Sequence, residues 1–199
     1  MAFINLRSKE IKVKIVYYGP AQSGKTTNLS YIYSKFKNQI RSKMISIDTF
    51  GDRTVFFDFL PFNLGKMDGF DILVQLYTVP GQVKYKATRE LVLRGVDGVV
   101  FVADISELKR RDNILSLNDL YHNLMKYNQS IFNVPLVFQF NKIDLVKLNL
   151  PVLSSNILKH DLNNRLNKPY YLASALHGHN VASTLKKITV LTIANIKYN

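Results

Sequence analysis

Apolar residues along this chain alternate between short continuous runs and helical spacing, from one end to the other. The first run is Ile11 to Tyr18, where Ile11, Val13, Ile15 and Tyr17 alternate with Lys12, Lys14 and Val16, the period of two that marks a strand. A helix is predicted from Thr26 to about Lys37, then strands at Thr54 to Phe59 and Phe70 to Thr78. The turn between that pair carries Asn63, Gly65, Asp68 and Gly69 and is short enough for a hairpin, so one antiparallel edge strand is expected. Gly98 to Asp104 and Pro135 to Phe140 are nearly unbroken apolar runs, suited to strands buried on both faces. Between them Ile114, Leu117, Tyr121 and Leu124 recur at three and four residues, an amphipathic helix. Val152 to about Asn164 predicts another helix after Pro151, Pro169 to Leu172 a last strand, and Val181, Leu185, Ile188 and Leu191 the buried stripe of a closing helix. This succession predicts an α/β fold over residues 1–199 as a single domain, a doubly wound, six-stranded, mostly parallel sheet with helices on both faces. In such a sheet ligands collect at the carboxyl ends of the strands.

Composition narrows the setting. The chain has no Cys, which excludes disulfides, thiolate metal sites, prenylation and palmitoylation. Ala2 follows Met1, where N-myristoylation needs glycine. The opening MAFINLRSKE has neither an uninterrupted apolar core nor a small-residue cleavage site, and no apolar stretch approaches the roughly 20 residues of a membrane span. A soluble, unprocessed, cytoplasmic protein with no integral membrane segment is the expectation, any membrane attachment being electrostatic or carried by a partner. The net charge of +13 raises nucleic acid as a partner. The excess is dispersed, however: Lys109 to Arg111 is the longest cationic run, with no RNA-binding signature or stacked aromatic pattern, so no specific nucleic-acid binding is expected.

Candidate chemistry begins directly after the first strand. Gly19 to Thr27 reads GPAQSGKTT and fills the G-x-x-x-x-G-K-[ST] template between a strand and a helix. The physical requirement is a tight loop whose backbone N–H groups converge on phosphate oxygens at a helix N-terminus. Gly19, Gln22, Ser23, Gly24, Lys25, Thr26 and Thr27 are therefore candidate nucleotide-binding residues, with Lys25 reaching the β- and γ-phosphates and the Thr26 hydroxyl ligating Mg²⁺. Asn141-Lys142-Ile143-Asp144 stands at the end of a later strand. A carboxylate at Asp144 can accept two N–H bonds from guanine, a donor pair adenine lacks. Leaving a buried acceptor unpaired against the wrong base costs about 1 to 3 kcal/mol. Lys142 would pack its stem along the base, Asn141 would brace the phosphate loop, and a backbone N–H of Ser174-Ala175-Leu176 would donate to the guanine carbonyl oxygen. His177 and His179 flank Gly178 in a loop and give no convincing metal site; Asp97 and Asp104, near strand ends, suit helix capping as readily as ligand contact.

These motifs resemble the Ras-like small GTPases of the P-loop NTPase fold, and among them the bacterial MglA proteins of gliding motility and cell polarity. VYYGP (Val16 to Pro20), RTVFFDFLP (Arg53 to Pro61), LYTVPGQV (Leu76 to Val83) and LRGVDG (Leu93 to Gly98) carry the likeness, which extends from about Phe3 to Ile196. The resemblance implies a switch that binds GTP or GDP with Mg²⁺ and hydrolyses GTP. It implies Thr54 as the switch I residue closing on Mg²⁺ and the γ-phosphate, Gly81 as the N–H that senses that phosphate, and Gln82 as the residue that positions water. It implies Arg53 as an arginine supplied from the chain itself, and a correctly placed arginine is worth about 10³ to 10⁵ in rate. It further implies an MglB-type Roadblock/LC7 dimer as activating partner, polarity or motility effectors, and recruitment by partners to a cell pole or the inner membrane face.

Two departures qualify the likeness. As in MglA proteins, Thr78 stands where most other Ras-like proteins have aspartate, with Asp58 the candidate to compensate near Mg²⁺. Ala21 stands where glycine is usual, and its methyl group would crowd the water-positioning glutamine, predicting reduced hydrolysis. A nucleotide-dependent scaffold with little turnover, an adenine-nucleotide ATPase and a basic nucleic-acid binder are the competing readings.

Overall fold

A single sheet runs through the chain, and its most apolar strands lie in its interior. The computed structural model describes residues 3–37, 44–47, 57–67, 69–82 and 85–197. In chain order the strands are β1 (Phe3–Asn5), β2 (Glu10–Tyr18), β3 (Ile45–Ile47), β4 (Phe57–Met67), β5 (Phe70–Thr78), β6 (Gly98–Asp104), β7 (Leu136–Asn141) and β8 (Tyr170–Ala173). The helices are α1 (Lys25–Lys35), α2 (Lys86–Leu93), α3 (Arg110–Met125), α4 (Asp144–Lys147), α5 (Ser155–Leu158) and α6 (Val181–Lys197).

The sheet order is β3-β4-β5-β2-β6-β7-β8, with β1 also pairing antiparallel to the first part of β2. β5, β2, β6, β7 and β8 are parallel; β4 pairs antiparallel with β5, and β3 with β4. Every residue of β6 and β7 is buried, as strands covered on both faces must be. Alternation along β2 sends Val13, Ile15 and Tyr17 to one face, where Leu29 and Ile32 of α1 and Val181, Leu185 and Ile188 of α6 cover them. Val16 and Tyr18 face the other layer, with Val92 and Leu93 of α2 and Leu120 and Leu124 of α3. Each fully buried Leu, Ile or Phe in these layers is worth about 1.5 to 3 kcal/mol.

The α/β, mostly parallel architecture agrees with the sequence reading, and the differences have physical causes. Among the described residues eight strands stand where six were expected, because β1 and β3 span three residues each, too short to show a period. β3 lies outside β4, so the antiparallel strand is not the edge. β4 continues through Asn63 and Gly65 to Met67 by a register shift between Asn63 and Lys66, so those turn-forming residues mark a bulge rather than the hairpin tip. The expected Thr54 to Phe56 part of this strand lies outside the described residues. The helix expected from Val152 begins only at Ser155, where Ser154 Oγ accepts from the N–H of Ile157 as an N-cap, and it continues as a π turn over Lys159–Asn163. Val152 instead bridges to Ser106 in an isolated antiparallel contact.

Candidate functional site

The loop between β2 and α1 is shaped by its neighbours before any ligand is considered. Gly24 caps α1 in the left-handed region at φ 97°, and no side chain caps the helix N-terminus. A Cβ on Gly24 would lie 2.3 Å from Asn141 Nδ2, so both the backbone angle and the space require glycine. Gln22 is also left-handed, at φ 64°. The first turn of α1 contains no acidic residue, leaving its N–H groups and positive dipole end available to an anion.

Lys25 is buried inside this loop, and its Nζ donates to the carbonyls of Gly19 at 2.9 Å and Pro20 at 2.6 Å. Burial pushes its pKa down to about 7; the nearby charge of Arg89 adds to the shift and Asp58 opposes it. A buried ammonium so disfavoured by desolvation is stabilised by any phosphate placed beside it. Lys25, the open helix end and the left-handed loop residues together fit a nucleotide phosphate. Ser23 is fully buried and its hydroxyl has no hydrogen-bond partner among the described residues, whereas Thr26 and Thr27 are exposed.

One side chain ties the loop to the other motifs. Asn141 Nδ2 donates to the carbonyl of Ser23 at 2.8 Å, and its Oδ1 accepts the N–H of Ala175 at 2.8 Å. Ser174 Oγ donates to Asp144 Oδ1 at 2.5 Å, orienting that carboxylate. Three segments far apart in sequence thus meet at the carboxyl ends of β2, β7 and β8. Lys142 adopts φ 76° and pairs its Nζ with Asp104 Oδ2 at 2.6 Å. Asp104 is 1% exposed and also accepts the N–H of Ser106, so it both closes the turn after β6 and fixes the lysine. Asp97 serves the backbone of a strand rather than a helix end: its Oδ2 accepts the N–H of Lys14. His177 and His179 lie in the loop after β8, and no grouping of three metal-ligating side chains occurs among the described residues.

Beside Lys25 opens a cavity of about 250 Å³ lined in part by Ala21, Thr26, Asp58, Thr78, Gly81 and Gln82. Thr26 Oγ1 donates to Asp58 Oδ2 at 2.6 Å, and Thr78 Oγ1 donates to the same oxygen at 2.8 Å while accepting the N–H of Asp58. Asp58 belongs to β4 and Thr78 ends β5, so the cross-strand pairing of those strands delivers the carboxylate to the start of α1. A hydroxyl and a carboxylate here are hard oxygen donors of the kind Mg²⁺ takes. Gly81 is packed on the phosphate loop, where a Cβ would fall 2.2 Å from the N of Ala21. Gln82 follows it with an exposed side chain, and Leu176 is 68% exposed at the opposite end of the site. Arg53 and Thr54 lie outside the described residues.

The Ras family model matches residues 14–193. The gliding-motility protein MglA of Myxococcus xanthus is 48% identical over 198 residues, covering 99% of this chain and 98% of that protein. Rab7 of Cenchrus ciliaris is 27% identical, covering 92% of this chain and 83% of its own length. Rab7 of Gossypium hirsutum is 26% identical with coverages of 94% and 84%. The chain therefore belongs to the Ras family of small GTPases and is one of its MglA-like members.

Proposed function

We propose that this protein is a GTP-binding switch that hydrolyses GTP to GDP and phosphate and governs cell polarity or motility through partners that distinguish the two states. The observation that carries the reading is the double hydrogen bond of Asn141, which joins the phosphate loop at Ser23 to the base-reading loop at Ala175. A chain whose phosphate-binding and base-reading segments are held at a fixed separation is suited to a nucleotide spanning both.

In this reading Lys25 and the N-terminal amides of α1 hold the phosphates, Asp144 reads the guanine edge, and the stem of Lys142 packs on the base. Thr26 and Thr54 hold Mg²⁺ with Asp58 and Thr78 behind Thr26, and the ion supplies neutralisation of phosphate charge. Gln82 orients a water toward the γ-phosphorus. The water oxygen forms the new bond, the bond to the β-phosphate bridge breaks, and GDP and inorganic phosphate leave. Arg53 stabilises the charge that spreads onto the transferring oxygens. Loss of the γ-phosphate releases Thr54 and Gly81, which resets the partner-binding surface.

The relative from Myxococcus xanthus is named for mutual gliding motility, which supports the motility setting. An MglB-type Roadblock/LC7 dimer is the activating partner of this reading, acting without an arginine of its own. No helix among the described residues is long and apolar enough to cross a membrane. The reading puts the protein in the cytoplasm, with partners bringing it to a cell pole or the inner membrane face.

Equilibrium binding tests the base assignment. The parent chain is expected to bind GTP and GDP far better than ATP and ADP, and Asp144→Asn is expected to move preference toward xanthine nucleotides. Equal binding of adenine and guanine nucleotides by the parent contradicts it.

A further inference from the structure

Arg89 is a buried cation on α2, only 6% exposed, that no nucleotide motif explains. Its Nε donates to Asp119 Oδ2 on α3 at 2.7 Å. Its Nη1 donates to the carbonyl of Gln82 at 2.5 Å and to that of Pro80 at 3.3 Å. A single guanidinium therefore joins α3 to the two carbonyls on either side of Gly81. Asp119 is fixed in turn: the same Oδ2 accepts the hydroxyl of Tyr18 at 2.5 Å and Asn123 Nδ2 at 3.2 Å. Tyr18 is the last residue of β2, immediately before Gly19. The network thus runs from the strand that feeds the phosphate loop, through α3, to the Pro80–Gln82 turn that lines the cavity beside Lys25.

Peptide geometry gives this clamp a direction. In a trans peptide the C=O and N–H point opposite ways. Holding the Pro80 carbonyl toward Arg89 turns the N–H of Gly81 away from the guanidinium. On its other side Gly81 is packed against Ala21 of the phosphate loop. The planar fork of arginine suits this task, because it serves a carboxylate and two carbonyls at once; a lysine offers one ammonium centre to the same three oxygens.

We propose that Arg89 is a positioning residue for the switch: anchored on Asp119, it sets the orientation of the Pro80–Gln82 turn, and with it the γ-phosphate-facing amide of Gly81 and the starting position of Gln82. This rests on the GTP-switch reading above. The structural alternative is that Arg89 only fastens α2 to α3. That fastening has independent members: Lys126 pairs with Glu90, and the Tyr127 hydroxyl donates to the Glu90 carbonyl at 2.9 Å. Neither touches the turn, so they provide the control.

The experiment measures, in full-length protein, the affinities for GDP and for a non-hydrolysable GTP analogue, single-turnover GTP hydrolysis, and the melting temperature of the GDP-bound form. Parent, Arg89→Lys, Asp119→Asn and Tyr127→Phe are compared. Arg89→Lys is expected to keep GDP affinity within about twofold while the preference for the analogue over GDP falls about tenfold, the scale of a charged hydrogen bond made in one state. Hydrolysis falls with it. Asp119→Asn, which keeps Arg89 but weakens its anchor, shifts the preference the same way by less, and it carries the test if Arg89→Lys does not fold. Tyr127→Phe lowers the melting temperature and leaves the preference at the parent value. Parent-like preference in both Arg89→Lys and Asp119→Asn overturns the proposal, as does an equal loss of GDP and analogue binding, or the same change in Tyr127→Phe. A parent that binds no guanine nucleotide overturns the GTP-switch reading itself, and the proposal with it.

Discussion

The hydroxyl of Thr26, at the start of α1, donates to the carboxylate of Asp58, on an antiparallel strand 32 residues away, at 2.6 Å. Thr78 reaches the same oxygen from the neighbouring strand. In this arrangement the negative charge beside the proposed Mg²⁺ position comes from β4, and the residue at the end of β5 contributes only a hydroxyl.

Replacing that charge is expected to separate metal-dependent from metal-independent binding. Asp58→Asn keeps the size of the side chain and an oxygen facing Thr26. The loss of a charged hydrogen-bond acceptor predicts about tenfold weaker Mg²⁺-dependent retention of GDP. Release of fluorescent GDP, followed with Mg²⁺ and with chelator, checks it: the variant and parent should differ with the metal and converge without it.

Lys25 predicts a pH dependence whose sign follows from its burial. Its pKa in the nucleotide-free fold is lowered from 10.5 to about 7. The unfolded chain therefore binds more protons between those values, so the stability of the nucleotide-free protein rises with pH across this window. A bound phosphate restores the charged form, so nucleotide binding takes up a proton in the same window. Affinity for GDP should fall by up to about tenfold per pH unit above pH 7. Titration calorimetry in buffers of different ionisation enthalpy at about pH 8 reads the uptake directly; heats independent of buffer would remove this role for Lys25.

Ala21 makes a separate prediction, since the Gly81 backbone lies directly against it. Removing one methyl group relieves crowding of about 1 kcal/mol, which corresponds to about fivefold in rate. Single-turnover hydrolysis should be faster in Ala21→Gly than in the parent by that order. Equal rates would show that the methyl group does not obstruct the reaction.

In the proposed switch the ion pair of Asp104 with Lys142 is expected to bear on affinity and to leave the choice of base to Asp144. Asp104→Asn should weaken GTP and GDP binding together by about tenfold, the range for losing a charged hydrogen bond, with guanine still preferred. A change in base preference in this variant would contradict that division of roles.

The features legible in the sequence are those whose chemistry is contiguous. GPAQSGKTT needs a strand before it and a helix after it, and both are supplied locally. NKID and SAL were readable for the same reason, although the Asn141 hydrogen bonds that join them are a product of strand order. Asp58 could be suspected only because Thr78 lacked a charge, since its contact with Thr26 depends on antiparallel pairing of β4 with β5. Asp104 was open to capping a helix or meeting a ligand; it caps no helix among the described residues but accepts the N–H of Ser106 just past its own strand, and its partner Lys142 stands on the adjacent strand end. Arg89, Asp119 and Tyr18 belong to three elements, and no spacing along the chain reports their meeting. Among the elements, β1 and β3 were too short for periodicity, and the apolar positions around Val152 served a bridge as well as a helix.

In the proposed GTP switch the catalytic residues, Arg53 and Gln82, come from the chain itself. Single-turnover hydrolysis of GTP with Mg²⁺, by the chain alone and with an MglB-type partner, tests it most directly. Slow turnover alone, acceleration by the partner, and loss of that acceleration in Arg53→Ala and in Gln82→Ala are expected. GTP retained intact with the partner present would contradict this and favour a nucleotide-dependent scaffold.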